Sequence, residues 1–328
     1  MKLPRREFLH LAAGVVALPA LPRVARAQAY PGKQITIVVP VPPGGLVDLV
    51  ARAVGERLAE KWGQTVIVEN KAGGNFQIAT SYVARAAADG YTLLLAMDAP
   101  FVINPHLYTK LSYDPIADFA PITGLVRFDL VLAAHPSLPV NNVRDLIALA
   151  KKKPGELNYA TFGLGSTANL YMEMFENMAD VKLAPVHYKG VAPMITDVVA
   201  GHVPMMFVTV GQTLPLWKDG KLKVLGVGTS ERVASFPDAP TFSESGLPGF
   251  EASAWFGFFA PKGTPEDIVD KINAEAQRIV TEPLFREKVL GQYFGEPMAT
   301  SPEDFARFIK LDYEKWGKII QAANLKIE

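Results

Sequence analysis

The sequence predicts an α/β protein in which parallel strands alternate with helices. Three observations predict this fold. Short β-branched apolar runs, typical of strands buried on both faces of a sheet, alternate with segments whose apolar residues recur at helical spacing. Loops rich in glycine and proline separate the two kinds of segment. The chain has 328 residues, which is enough for two domains that each bury a core.

The first strand and helix have the clearest patterns. Ile35–Val39 is a β-branched apolar run, and the loop 40–45 after it is too rich in proline and glycine for a helix or a central strand. Apolar residues then recur at helical spacing from Leu46 to Trp62, and Gly63 ends this helix. After it we predict a strand over 65–68, a helix over 77–88 and a strand over 92–97.

The same alternation resumes at Asp129 and continues to about Gly228. In this part we predict helices over 143–153, 167–178 and 193–200, and strands over 158–161, 205–208 and 223–227. Two helix-start signals follow, at residues 264–267 (Thr-Pro-Glu-Asp) and 301–304 (Ser-Pro-Glu-Asp). Each has a hydroxyl residue as the cap, a proline in the first turn and carboxylates after it, so each predicts a long amphipathic helix.

Residues 1–29 are predicted to be a signal peptide. A basic segment precedes a short apolar run, and small residues allow cleavage after Ala27 or Ala29. Arg5 and Arg6 also resemble the pair of a twin-arginine export signal. The alternative for this segment is an amphipathic helix that anchors the chain. With residues 1–29 interpreted as a signal peptide, we predict a periplasmic protein that is soluble after cleavage.

Composition excludes several classes of function. Lys plus Arg equals Asp plus Glu at 33 each, so no basic excess indicates nucleic acid as a partner. The absence of cysteine excludes disulfides, thiolate zinc sites and a cysteine nucleophile. No two of the five histidines stand four residues apart, and neither a P-loop nor a G-x-S-x-G motif occurs. We predict no catalytic residues, no metal and no cofactor.

Two glycine-containing loops, 42–45 and 162–167, each lie between a predicted strand and a predicted helix. Glycine lets the backbone approach a ligand, and the free N–H groups and dipole of a helix start attract an anion. Either loop alone is typical of an ordinary tight turn and helix cap. The pair fits a cleft that holds a carboxylate from both sides. Residues 163–168 also match the dinucleotide motif G-x-G-x-x-A, but the segment 184–187 lacks the acid that binds ribose.

A series of short motifs also occurs in one order along the chain. The motifs are Tyr30-Pro31, Pro42-Pro43-Gly44-Gly45 with Asp48, Val68-Glu69-Asn70, Gly73-Gly74-Asn75, Asp89-Gly90-Tyr91-Thr92-Leu93, Asn104-Pro105, Tyr113-Asp114-Pro115, Asn158-Tyr159-Ala160, Tyr188-Lys189-Gly190, Pro240-Thr241, Gly246-Leu247-Pro248-Gly249-Phe250-Glu251, Trp255-Phe256-Gly257 and Ala260-Pro261-Lys262-Gly263-Thr264-Pro265. In these motifs the sequence resembles the solute receptors of tripartite tricarboxylate transporters, the Bug or TctC family of periplasmic binding proteins. The resemblance extends along essentially the whole chain after the signal peptide.

This resemblance implies a two-lobed periplasmic binding protein of type II, the Venus-flytrap architecture, with a mostly parallel sheet flanked by helices in each lobe. Residues 30–127 and 253–328 would form lobe 1, and residues 128–252 lobe 2. It implies a monomeric receptor, not an enzyme, that binds a small carboxylate between the lobes and delivers it to a two-subunit inner-membrane transporter. Two alternatives stay open, a twin-arginine-exported enzyme with a cofactor and a receptor that presents its ligand to a signalling partner.

The candidate ligand-binding residues lie on the two glycine loops and at positions expected near them. They are Pro43, Gly44, Gly45, Leu46, Val47, Asn75, Met97, Asp98, Phe162, Gly165, Ser166, Thr167, Tyr188, Lys189, Val208 and Thr209. Backbone amides and hydroxyls of the loops would hold the ligand's carboxylate, as the resemblance implies.

Two departures from the family pattern bear on the ligand. Leu46-Val47 stands where the family usually has a small polar Ser-Thr pair, and Val208 stands where an aspartate commonly follows Met-Phe. The lost carboxylate is a natural partner for a ligand's ammonium or hydroxyl groups. The sequence therefore favours an aromatic or dicarboxylic acid with an apolar body.

Overall fold

A computed structural model describes residues 30–291, 295–322 and 325–326. The predicted signal peptide lies outside the described residues. From Lys33 onward the described chain forms one compact unit.

The described part of the chain alternates strands and helices. Its strands are β1 (Ile35–Val39), β2 (Val66–Asn70), β3 (Thr92–Met97), β4 (Phe119–Ala134), β5 (Asn158–Thr161), β6 (Ala184–His187), β7 (Met205–Thr209), β8 (Lys223–Val227), β9 (Ser253–Pro261) and β10 (Gly295–Pro297). Its helices are α1 (Leu46–Trp62), α2 (Gln77–Ala84), α3 (Asn104–Leu107), α4 (Val143–Lys152), α5 (Thr167–Ala179), α6 (Val191–Val199), α7 (Val210–Lys218), α8 (Glu266–Thr281), α9 (Pro283–Phe285) and α10 (Pro302–Ala322). Two π-helical turns, Ala99–Ile103 and Arg286–Leu290, complete the elements of this part.

The strands form a curled sheet in the order β2-β1-β3-β9-β4-β7-β5-β6, and β8 and β10 also pair with β4. β1 is parallel to β2 and β3, and β5 is parallel to β6 and β7. An antiparallel strand follows each parallel set, β9 beside β3 and β4 beside β7. The two halves therefore repeat one arrangement, in which β1 and β5 occupy equivalent positions. The predicted α/β class is confirmed, with antiparallel strands between the parallel sets.

The long strand β4 belongs to both halves of the sheet. From Phe119 to Asp129 it pairs with β9, and from Leu130 to Ala134 it pairs with β7 and β8. The ladder with β9 shifts register twice, which is the signature of bulges that bend a strand. The lobe boundaries given above stay a prediction.

The core consists of apolar clusters on the two faces of the sheet. Alternate residues of β7 show the division, because Met205 and Phe207 belong to one cluster while Met206 and Val208 belong to the other. The first cluster extends along the sheet into both halves and includes Trp316 of α10. Helix α10 thereby packs against residues from distant parts of the chain.

Several predicted element boundaries match the structure. β1, β3, β5 and β8 have the predicted bounds, and α1 ends at Gly63, which adopts the left-handed conformation with φ of 63°. The two helix-start signals differ in outcome. Ser301 accepts a hydrogen bond from the Asp304 amide (3.0 Å) and caps α10 as predicted. Thr264 instead donates to the carbonyl of Pro261 (2.8 Å), so the prediction that its hydroxyl caps α8 is wrong.

Candidate functional site

The candidate residues gather at the carboxyl ends of the parallel strands. β1, β2 and β3 end at the first glycine loop, at Asn70 and at Met97, while β5, β6 and β7 end at the second loop, at His187 and at Thr209. Neighbouring parallel strands end at the same edge of a sheet, which is where α/β proteins bind ligands. Each half of the sheet therefore presents one group of candidate residues.

The first glycine loop begins helix α1. Gly44 has φ of 88°, a conformation that glycine adopts without strain, and its amide donates to Oδ2 of Asp48 at 2.9 Å. Gly45 is extended and serves as the N-cap residue of α1. Pro43, Gly44 and Gly45 are exposed, and Leu46 is half-buried. The loop thus exposes the amide end of α1, the part of a helix that attracts anions.

Asp48 holds this loop in place. Arg52 donates to Asp48 through Nε (3.0 Å) and contacts its Oδ1 through Nη2 (2.9 Å). Asn70 donates through Nδ2 to Asp48 Oδ1 (2.8 Å) and to the carbonyl of Val41 (3.0 Å). Burial raises the pKa of Asp48, but the hydrogen bonds from Arg52, Gly44 and Asn70 outweigh it and leave the pKa below its usual value. Asp48 is therefore an ionised carboxylate at neutral pH.

The second glycine loop has the same construction at the start of α5. Gly165 has φ of 72°, and its amide donates to Oδ1 of Asn169 at 2.9 Å. Ser166 is the extended N-cap residue, and its Oγ accepts from the Asn169 amide at 3.3 Å. Asn169 in turn donates to the hydroxyl of Tyr159 at 2.9 Å. In both loops a glycine amide binds the side chain four residues later, so the loops are equivalent in geometry.

The two hydroxyls of the second loop have different partners. Ser166 Oγ and Thr161 Oγ1 are 2.8 Å apart, and Thr161 donates its own proton to the carbonyl of Gly163 (3.2 Å). Ser166 therefore donates the proton between the two hydroxyls. Among the described residues no group binds the hydroxyl of Thr167. Thr167 is the hydroxyl of this loop that is available to a ligand.

Three more candidates lie at the ends of β6 and β7. Tyr188 donates its hydroxyl proton to Asp197 Oδ2 at 2.7 Å. Burial and this neighbouring carboxylate raise the pKa of Tyr188 to about 12. Lys189 is exposed. Thr209 is the N-cap residue of α7 and donates to the Gln212 side chain at 3.0 Å.

The apolar candidates differ in exposure. Val47 and Val208 are each 3% exposed, so their side chains belong to the packed interior. Met97 and Phe162 are half-buried and pack against the core clusters.

Asn75 lies on a loop after β2 in a left-handed conformation, with φ of 48°. Its side chain donates to Asn104 Oδ1 (3.1 Å), and the Asn104 side chain donates back to the Asn75 carbonyl (2.8 Å). These bonds tie the loop to the start of α3.

Asp98 directly follows β3 and lies inside the protein. It is 2% exposed, its amide donates to the Trp255 carbonyl (3.1 Å), and within the described chain its Oδ2 has no hydrogen-bond partner. Burial, together with the charge of Asp312, raises the pKa of Asp98 to about 7, although backbone amides of Ala99 and Trp255 oppose the shift.

Asp312 and Lys315, on α10, are charged residues close to Asp98 that the sequence did not indicate. Trp255 Nε1 donates to Asp312 Oδ2 at 2.8 Å, and Lys315 donates to the Glu251 carbonyl at 3.2 Å. Burial raises the pKa of Asp312 and lowers that of Lys315. Asp312 and Lys315 are half-buried, whereas Asp98 is buried. On an amphipathic helix such residues are expected to be surface charges, and packing from distant segments covers them in part.

The described residues lack the features of two other classes of protein. They contain no group of three or more His, Asp or Glu side chains placed to hold a metal ion. None of their helices combines the length and the apolar character that crossing a bilayer requires.

Two equivalent sets of parallel strands, each with a glycine loop and a helix start at its carboxyl edge, are typical of an α/β receptor for a small solute. The family model described as the tripartite tricarboxylate transporter family receptor, TctC, matches residues 50–325. The chain belongs to this family, whose members are periplasmic solute-binding receptors and not enzymes.

Relatives and solved structures agree with this assignment. Protein BugT of Bordetella pertussis is 32% identical over 95% of this chain and 96% of its own. The structure of R. palustris Rpa4515 with adipate is 35% identical, has a TM-score of 0.81 and aligns over 91% of this chain and all of its own. MatC (Rpa3494) from Rhodopseudomonas palustris with bound malate is 31% identical, with a TM-score of 0.77 over 89% of this chain and all of its own. The predicted family and two-lobed fold are confirmed.

Proposed function

We propose that this chain is a receptor that binds a small carboxylate between two lobes and delivers it to a tripartite tricarboxylate-type transporter with two inner-membrane subunits. The equivalence of the two glycine loops is the observation that supports this proposal most directly. Each loop places the amide end of a helix after the first strand of a parallel set, exposed in the first loop and half-buried in the second, and the amide of Gly44 or Gly165 is already bound to the protein. The amide of Gly45 in the first loop and that of Thr167 in the second would then bind a ligand anion, because the Ser166 amide is already bound to the Gly163 carbonyl (3.2 Å).

The proposal assigns residues 30–127 and 253–328 to lobe 1 and residues 128–252 to lobe 2. The change of pairing partners along β4, between Asp129 and Leu130, supports a crossing near the first boundary. The proposed function also includes export with a twin-arginine-like signal peptide, cleavage after Ala27 or Ala29, and action as a monomer.

All of the candidate residues belong to the proposed site, with unequal roles. The amide of Gly45 and the hydroxyl of Thr167 would bind the carboxylate. Pro43, Gly44 and Gly165 would shape the two loops around it, because Pro43 has no N–H and the other two amides already bind side chains. Ser166 and Asn75 would act mainly by holding their loops, because their side chains already bind protein groups. Leu46, Met97, Phe162, Tyr188, Lys189 and Thr209 would form the surroundings of the ligand. The interior residues Val47, Asp98 and Val208 would lie behind them and support the site.

We further propose that the ligand is a dicarboxylic or aromatic acid with an apolar body. The malate and adipate complexes of two relatives support a dicarboxylic acid. The apolar preference is supported by Leu46, Val47 and Val208, which offer no polar side-chain atom to a ligand amine or hydroxyl. A buried polar group of the ligand without a partner costs about 1–3 kcal/mol.

Calorimetry with matched acids tests both parts of this proposal. We expect glutarate and adipate to bind, and glutarate to bind about tenfold or more tightly than glutamate, which differs by one ammonium group. A ligand at about 100 times its dissociation constant should also stabilise the protein by about 2.7 kcal/mol in a thermal melt. If no dicarboxylic or aromatic acid binds, the receptor function is rejected. If glutamate binds more tightly than glutarate, the apolar preference alone is rejected.

Two substitutions in the second loop should separate ligand binding from helix capping. Thr167→Val removes a hydroxyl from a bond to a charged acceptor, worth about 1.5–3 kcal/mol, so the affinity for adipate should fall by about tenfold or more. Ser166→Ala removes the cap of α5 and should lower the free energy of unfolding by about 1 kcal/mol. Thr167→Val should leave that free energy nearly unchanged. Unchanged affinity in Thr167→Val would contradict the role given to its hydroxyl.

A further inference from the structure

The two glycine loops share a geometry but differ in charge. In the first loop the glycine amide donates its hydrogen bond to a carboxylate, that of Asp48. In the second loop it donates to a neutral side-chain amide, that of Asn169. Asp48 is buried, and its low pKa keeps it ionised. A full negative charge therefore lies in the first turn of α1, beside the amides that the proposed function assigns to the ligand's carboxylate.

An uncompensated charge at this place would oppose anion binding. The attraction of a helix start for an anion is equivalent to about half an elementary charge, so an unpaired carboxylate would more than cancel it. Like charges also repel strongly where water is partly excluded. The second loop avoids the problem because Asn169 is neutral.

Arg52 supplies the compensating charge. It lies one turn after Asp48 on α1, contacts both oxygens of that carboxylate at 3.0 and 2.9 Å, and donates to Asn70 Oδ1 at 3.0 Å. The equivalent position of α5, four residues after Asn169, is Glu173. A basic residue is thus present where the accepting group is charged and absent where it is neutral.

We propose that Arg52 is a positioning residue for ligand binding, which neutralises Asp48 and holds its carboxylate on the amide of Gly44. This inference rests on the proposed function, and it assigns Arg52 no direct contact with the ligand. Arg52 keeps the first loop attractive to an anion, while Asp48 keeps the loop in shape. The role is largely separate from folding, because the Arg52 side chain is 49% exposed and Asp48 retains its bonds from Gly44 and Asn70 without it.

The test measures adipate affinity by calorimetry at low and at high salt in four variants. Arg52→Met should weaken binding by about tenfold or more at low salt and by less at high salt, because ions around the exposed loop screen part of the repulsion between Asp48 and the ligand's carboxylate. The double variant Asp48→Asn/Arg52→Met should recover affinity to within about threefold of wild type, because it reproduces the neutral arrangement of the second loop. Arg52→Lys retains the charge and should also remain within about threefold. Arg57→Met, which breaks an exposed ion pair with Glu60 on the same helix (3.0 Å), is the control and should bind like wild type.

The outcomes distinguish this inference from the proposed function. Wild-type affinity in Arg52→Met overturns the inference and leaves the receptor function standing. Weak binding in both Arg52→Met and the double variant overturns neutralisation as the mechanism, and so does weak binding in Arg52→Lys. If the wild-type protein binds neither adipate nor any other carboxylate, the proposed function itself fails. Thermal melts of all variants identify any that do not fold, and the double variant and Arg52→Lys then decide the question.

Discussion

Trp316→Ala is expected to lower the free energy of unfolding by about 3–5 kcal/mol, the range for removing a large aromatic side chain from a core. Trp316 is 1% exposed, and its ring lies 5.0 Å from that of Tyr171. This contact joins α10 to α5, two helices far apart in the sequence. The loss of packing should therefore destabilise the protein as a whole.

Equilibrium unfolding in urea, followed by circular dichroism, measures this effect without relying on tryptophan fluorescence. Leu311→Ala is the matched control, because Leu311 lies on the same helix but is 63% exposed. We expect it to change the free energy of unfolding by no more than about 0.5 kcal/mol. A loss below about 1 kcal/mol in Trp316→Ala would contradict the packing of α10 described above.

Asp98→Asn is expected to change how stability depends on pH. Burial, with the nearby Asp312, raises the pKa of Asp98 from 3.8 to about 7 in the folded state. The folded protein therefore binds more protons than the unfolded chain between about pH 4 and pH 7, and Asp98 makes stability fall as pH rises through this window. At 1.36 kcal/mol for each pKa unit, the full contribution is on the order of 4 kcal/mol.

An asparagine keeps the shape of this side chain and cannot ionise. The variant should lack the Asp98 contribution, so that near pH 8 it is more stable than wild type by up to about 4 kcal/mol, with a smaller difference near pH 5. Urea unfolding at pH 5, 6, 7 and 8 measures the difference curve. Asp219→Asn, which removes a surface carboxylate paired with Lys221, serves as the control. If the difference in the free energy of unfolding between Asp98→Asn and wild type does not change with pH, the raised pKa of Asp98 is refuted.

Local sequence patterns correctly predicted those strands and helices whose conformation depends mainly on their own residues. β1 and β3 are short apolar runs between turn residues, and Gly63 adopts the left-handed conformation that ends α1. The long strand β4 gave no such pattern, because Pro121, Gly124 and Arg127 interrupt its apolar residues. Its structure depends on pairing with β7, β8 and β9, and those strands lie more than seventy residues away.

The sequence allowed the two glycine loops of the candidate site to be predicted, but not the hydrogen bonds that their side chains form. The first motif already contained Asp48, yet nothing in the sequence shows that its carboxylate accepts the amide of Gly44 and is paired with Arg52. Ser166 illustrates the same limit, since its hydroxyl is suited equally to a ligand and to the cap that it forms. Side-chain direction decides between such roles, and it follows from the folded geometry.

The continuity of β4 has a mechanical consequence for a two-lobed receptor. Where its partners change, the Leu130 amide donates to the Ala252 carbonyl (3.0 Å), and the Leu130 carbonyl accepts from the Gly228 amide (2.8 Å). The two halves of the sheet are therefore joined by a hydrogen-bonded ribbon of strands and not by a flexible linker. A side chain at Gly228 would collide with Ala252 and the Leu130 carbonyl at 2.6–2.8 Å, which keeps the three segments in close contact. Stretching or sliding this ribbon would break hydrogen bonds, whereas twisting and bending would preserve them. We therefore expect the proposed lobes to move relative to each other mainly by rotation about this strand, so that each opening returns the two loops to the same alignment.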